Sequence, residues 1–163
     1  MLSQSYPESI ATLAAGVNPA TLRGWRTQGP LTEFKPGAHT ARQVLILRLA
    51  KELSAAGIPA ATFGDMATKV IDQLSTQPNV MIELLHAPAH ELRGKAPMLL
   101  IWRDAQGAYQ HLLARSPDLS GVVRWDVVQL SEIIGPVLRR ADQLQADLAL
   151  AQAKDEESTD AQA

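Results

Sequence analysis

The sequence predicts an α+β fold dominated by helices. Three observations predict it. Apolar residues recur at three- and four-residue spacing through residues 7–76 and again after residue 131. Aromatics are only 4% of the 163 residues, so the core must rest on Leu, Ile, Val and Ala, and both Ala and Leu favour helix. Between residues 79 and 130 the pattern changes to short apolar runs around turn residues, which reads as strand.

The elements follow in order. Pro7 suits an early helical position, where its missing N–H costs nothing. Ile10, Leu13 and Ala14 form that helix's apolar stripe, and Gly16 ends it. Asn18 is a favoured N-cap and Pro19 a favoured first residue for a second helix. Leu22 and Trp25 share one face of it; Thr21, Arg23 and Arg26 lie opposite. Gly29 and Pro30 stop it. Residues 31–34 and 38–39 predict a short two-stranded wing, with Pro36-Gly37 as a type II turn. Thr40 and Gln43 form a capping box for a third helix with Leu45, Leu49 and Leu53 at four-residue spacing. Gly57 ends that helix. Pro59 starts a fourth, with Phe63, Met66, Val70, Ile71 and Leu74 on one side.

Residues 80–85 and 97–102 are short apolar runs. Residues 98–102 and 108–113 flank a Gly-containing turn and predict a hairpin, with helix left open for residues 108–114. Residues 122–128 suggest another strand. Ser131 begins a last helix, disturbed early by Gly135-Pro136. Ile134, Val137, Ala141, Leu144 and Leu148 then alternate at three and four, the spacing of a two-stranded seam. A homodimer through that seam is expected; the alternative is packing against its own chain. Residues 154–163 are short, acidic and without large apolar residues, and are expected to be disordered. The chain thus divides into residues 1–76, a module at 79–130, a dimerisation helix at 131–153 and a tail.

Formal charge is −2, but its distribution is uneven. Arg23, Arg26, Lys35, Arg42, Arg48 and Lys51 fall between residues 17 and 51 against the single acid Glu33. Asp155, Glu156, Glu157 and Asp160 crowd the tail. The absence of cysteine excludes disulfides and thiolate metal sites. No signal-peptide pattern and no run near the ~20 apolar residues of a membrane span stands out. A cytoplasmic, nucleoid-associated protein without membrane contact is expected.

The stretch from Ile10 to Asn18, the run Thr21-Leu22-Arg23-Gly24-Trp25, Gln28-Gly29-Pro30-Leu31 and Ala56-Gly57-Ile58 together resemble the winged helix-turn-helix of the MerR family. The resemblance covers just under half of the chain. It implies a sequence-specific regulator binding double-stranded DNA as a homodimer on a (pseudo)palindromic site. Gly24 stands where the family has its first aromatic. Lys35, His39 and Thr40 stand where its wing carries Arg-Tyr. The family's long antiparallel dimer helix directly after the winged domain is replaced by a strand-like region.

On this reading the second helix enters the major groove. Arg23 and Arg26 reach phosphates or guanine edges, and Asn18 and Thr21 sit at the entering end. Lys35 and His39 belong to the wing; Thr40 and Arg42 stand at a helix N-terminus suited to phosphate. The plainer reading makes the cations solvated, Trp25 core and Asn18 a cap. Two other function classes stand beside the regulator: an excisionase-like architectural recombination factor, and a protein-interaction adaptor without DNA binding.

No catalytic set, cofactor fingerprint or effector signature appears. His86, His90 and Glu91 have metal-like spacing, but Pro88 interrupts the helix they would need. Ser116, Asp118 and Ser120 read as a turn. Trp102, Tyr109 and Trp125 read as core of the small module, with a ligand pocket as the alternative.

Overall fold

The computed structural model describes residues 2–27, 29–92, 95–115 and 125–160, with the side chains of residues 89, 125 and 155–160 outside that description. It is an α+β protein, 60% helical, with two small antiparallel sheets and a long C-terminal helix. Strand β1 (Ser5–Pro7) leads into α1 (Glu8–Ala15) and α2 (Pro19–Thr27). Strand β2 (Ala38–Thr40) precedes α3 (Ala41–Ala55) and α4 (Ala60–Ser75). Helices α5 (Pro78–His86) and α6 (Ala89–Leu92) lead to β3 (Met98–Arg103), β4 (Tyr109–Ala114) and β5 (Trp125–Gln129). A 3-10 turn (Leu130–Glu132) enters α7 (Ile134–Asp160). No helix among the described residues is long and apolar enough to cross a membrane.

Local caps set the helix ends. Gly16 takes a left-handed conformation, φ 66°, and closes α1 with backbone bonds back to Leu13 and Thr12. Thr40 and Gln43 form a complete capping box on α3. Pro136 falls in the first turn of α7, where a missing donor is harmless, so the helix runs through it.

Helix α3 is the hub. Val44, Leu45, Ile46, Leu47, Leu49 and Leu53 are all fully buried. Helices α1, α4 and α7 pack around it. One hydrophobic cluster joins Tyr6 and Leu22 to Leu84, Leu99, Ile101 and Ala141. The three-stranded sheet, order β4-β3-β5, contributes Leu99 and Ile101 from its inner face. Its outer face centres on Leu100, paired with Leu112 on one side and Val127 on the other. Those two flanking residues are exposed.

Several expectations change. The wing is not a hairpin of residues 31–34 with 38–39. Leu31 and Phe34 are both buried, and a backbone bond from Phe34 N to Leu31 O (3.0 Å) closes a turn. Residues three apart point the same way in a turn and opposite ways in a strand. Strand β2 pairs instead with β1, Tyr6 opposite His39. Residues 80–85 are helical, because Met81 and Leu84 bury three apart behind Pro78. Residues 108–113 are strand, turned around Gly107 at φ 81°. Of the expected strand at 122–128, Trp125–Gln129 is strand; residues 122–124 and the polar turn at Ser116, Asp118 and Ser120 lie outside the described residues. Helix α7 continues to Asp160, past the point where a disordered tail was expected. In the expected dimer seam, Ile134, Val137 and Ala141 are buried inside this chain and Leu144 packs at its edge, so they are not a free seam. Only Leu148 of that set is exposed.

Two glycines on or near α2 face opposite surroundings. A Cβ on Gly64 of α4 would stand 2.6 Å from the Pro30 carbonyl oxygen; one on Gly24 meets nothing within 4 Å. Urea denaturation of Gly64→Ala should therefore show a loss of about 1–3 kcal/mol, the usual cost of overpacking. Gly24→Ala should gain about 0.5–1 kcal/mol from helix propensity alone. Equal stabilities for the two variants would contradict this packing.

Candidate nucleic-acid interface

Helix α2 is fixed at its start by Asn18, whose Oδ1 accepts from Ala20 N at 2.8 Å. Its inner side is anchored by Leu22, fully buried, and by Trp25, which meets Phe63 edge-on with ring centres 5.1 Å apart. The core role of Trp25 follows from that contact. The opposite side of α2 exposes Thr21, Arg23, Gly24 and Thr27.

Arg26 turns inward. Its two terminal nitrogens donate to the two oxygens of Glu8, at 3.0 and 2.7 Å. Such a bidentate pair fixes the guanidinium plane. The same Arg26 nitrogen lies 2.8 Å from His39 Nε2. An arginine can only donate, so His39 Nε2 accepts and the imidazole is neutral, protonated on Nδ1. His39 is 0% exposed and its ring lies against Phe34. Glu8 also accepts from Gly37 N at 3.1 Å. One carboxylate at the start of α1 thus ties together the end of α2, the loop before β2 and β2 itself.

The electrostatics follow from this geometry. The hydrogen-bonded Arg26, with help from the Gly37 N–H, pulls the Glu8 carboxyl down to about 2. Burial, and then the Arg26 charge, pushes the His39 imidazole below its ordinary value. Nδ1 of His39 and Nε of Arg26 are buried with no hydrogen-bond partner among the described residues.

The expected DNA contacts therefore separate into two groups. Asn18, Thr21, Arg23 and Lys35 are exposed around α2 and the following loop. Neither Arg23 nor Lys35 has an ion-pair partner among the described residues. The other four have partners within the chain. Arg26 and His39 are spent inside the cluster. The Thr40 side chain caps α3. Arg42 forks onto Asp72 at 2.7 and 2.8 Å, which neutralises its charge in place. Arg48 likewise pairs with Glu52 one turn away. Lys51 holds its ammonium beside Gly16, at the negative end of α1.

Glu8 is the residue the sequence reading missed. It lies 18 positions from Arg26 and nothing local marks the pair. Among the described residues no three metal-ligating side chains cluster; His86 ends α5 while His90 lies on α6. Tyr109 packs on the core and lies under Arg103, 4.5 Å from its ring centre; Trp102 is half-buried on the sheet. Comparison with known protein-family models and with curated proteins gives no match.

The cluster makes stability depend on pH. Unfolded, His39 takes up a proton near its ordinary 6.5; folded, it resists. Stability is then complete above about 6.5 and falls as pH drops through the lower folded value. Glu8 shifts from 4.5 to about 2, so its share is complete above 4.5 and lost on the way to 2. Denaturation across this range should show both declines. His39→Gln should shrink the first, leaving the share of His111, whose imidazole burial also pushes down, and keep the second. An unchanged first decline would remove His39 from this role.

Proposed function

We propose that the protein is a sequence-specific double-stranded-DNA-binding regulator of winged helix-turn-helix type, similar to the MerR family in its N-terminal half. Helix α2 is its recognition helix. The observation that supports this most is how α2 is held. Leu22, Trp25 and the Arg26–Glu8 pair fix its back, while Thr21 and Arg23 are left exposed on its front. A three-residue turn on Gly16 joins it to α1, the spacing of a helix-turn-helix. A preorganised helix loses little entropy on entering a groove.

In this reading the β1–β2 pair takes the place of the wing, and Lys35 lies on the loop that leads into it. Arg23 reaches a base edge or a phosphate from the middle of α2, and Asn18 and Thr21 approach from its N-terminus. Lys35 binds a flanking phosphate.

A homodimer on a (pseudo)palindromic site completes the proposal. Its seam moves outward along α7, from Leu144 at the edge of the core to the exposed Leu148 one turn on. Residues 146–154 of the helix are all exposed, and short lone helices are marginal in water. A second copy would supply the missing packing. The adaptor reading draws on a different surface, the exposed Leu112 and Val127 of the outer sheet face.

Selection from a random duplex pool tests the regulator. An enriched inverted repeat is expected. Arg23→Ala should cost about 1–3 kcal/mol on the selected site. Lys35→Ala should weaken all sites alike and reduce the salt slope by about 1. Arg42→Ala should leave affinity within twofold. Absence of enrichment at low salt from folded protein would overturn the regulator and favour the adaptor.

A further inference from the structure

A second polar site lies where β1 meets α7. Arg139 and Asp142 stand three residues apart on α7, a spacing that makes opposite charges neighbours. Here no ion pair joins them. Arg139 reaches back, and one of its terminal nitrogens donates to Leu85 O near the end of α5 at 2.8 Å. Asp142 reaches forward, and its Oδ1 accepts from Tyr6 Oη at 2.6 Å and Gln4 Nε2 at 2.9 Å. Gly135 permits the splay: a Cβ there would lie 2.8 Å from the Arg139 guanidinium and 2.6 Å from Leu84 O.

Between the two charges opens a cleft of about 260 Å³, lined also by the polar Gln4, Tyr6 and His86 and the apolar Ala41, Leu85 and Leu138. The volume suits a ligand of small-metabolite size, since drug-sized sites begin near ~300 Å³. Asp142 keeps its Oδ2 without a partner among the described residues, and Arg139 keeps two of its three nitrogens. Burial and the Asp142 carboxylate push the Tyr6 phenol far above its ordinary range, so it remains a donor and holds Asp142 in place.

A cation and an anion one helical turn apart, turned to different partners beside Leu85 and Leu138, match the two charged groups of one small molecule. We infer that this cleft binds a zwitterion of the α-amino-acid class with a compact apolar side chain. Its carboxylate pairs with Arg139, its ammonium with Asp142 Oδ2, and its side chain rests on Leu85 and Leu138. Carboxylate recognition by the guanidinium fork provides orientation as well as charge. The site does not depend on the DNA-binding reading.

The test is titration of the full chain with each proteinogenic L-amino acid, followed by amide chemical shifts. Acetate and ethylammonium serve as single-charge controls. At least one small apolar amino acid should saturably shift Tyr6, Gly135 and Asp142, and bind tenfold or more tightly than either control. Arg139→Gln and Asp142→Asn, each with its other shifts unchanged, should each weaken binding tenfold or more, about 1.4 kcal/mol. No saturable shift with any amino acid up to about 20 mM, or binding equal in both variants and the parent, would overturn the site. Either failure leaves the DNA selection experiment unaffected.

Discussion

Val44, Leu45, Ile46 and Leu47 are consecutive in α3, and each is fully buried. At about 100° per residue, four successive side chains sweep about 300° of the helix surface. A helix that is apolar on so many sides must be enclosed. Helices α1 and α4 cover part of it; α7 returns from the far end of the chain to cover the rest. The placement of every other element follows. With α7 against α1 and α3, the small sheet is drawn onto the same core, and β1 is brought beside Asp142. The same enclosure consumes Ile134, Val137 and Ala141.

The local features of this fold were legible in the sequence because their causes are local. Asn18, Gly16 and the Thr40–Gln43 box act within four residues, and each does what its position implies. The hairpin around Gly107 is equally short-range. The features that escaped depend on distant partners. Residues 31–34 alternate plausibly for a strand, but the core pulls Leu31 and Phe34 to the same side. Helix α7 carries a seam pattern that fits a partner chain and its own core equally well. The run of apolar residues at 44–47 was the available sign that a further helix would be needed. Half of the candidate interface was readable on the same principle. Asn18, Thr21, Arg23 and Lys35 are exposed as their sequence positions suggest; Arg26 and His39 are turned inward by Glu8, which no spacing reveals.

The Glu8 cluster also changes how the early run of positive charge is understood. Six cations between residues 17 and 51 resemble a basic face when counted along the chain. Folded, Arg26, Arg42 and Arg48 each have an acidic partner, and Lys51 lies at the end of α1. Of the six, the cations left exposed without an acidic partner among the described residues are Arg23 and Lys35, and the exposed Glu33 stands two residues from Lys35. So few free cations give weak general attraction and leave more of any selectivity to groove contacts. The fold uses the other cations to hold α2 and its supports still.

Gly24 sits at the middle of the exposed side of α2, with nothing near it. The smallest residue occupies the position with the most freedom to grow. The anchoring residues of α2, Leu22, Trp25 and Arg26, all lie on its other side, so a side chain added at position 24 disturbs none of the packing that holds the helix. Such a position is where related chains can diverge in surface chemistry without first diverging in structure. Gly64, pressed against Pro30, is its opposite: its freedom is already exhausted by the fold. One helix therefore carries an evolvable surface on a scaffold that tolerates little revision.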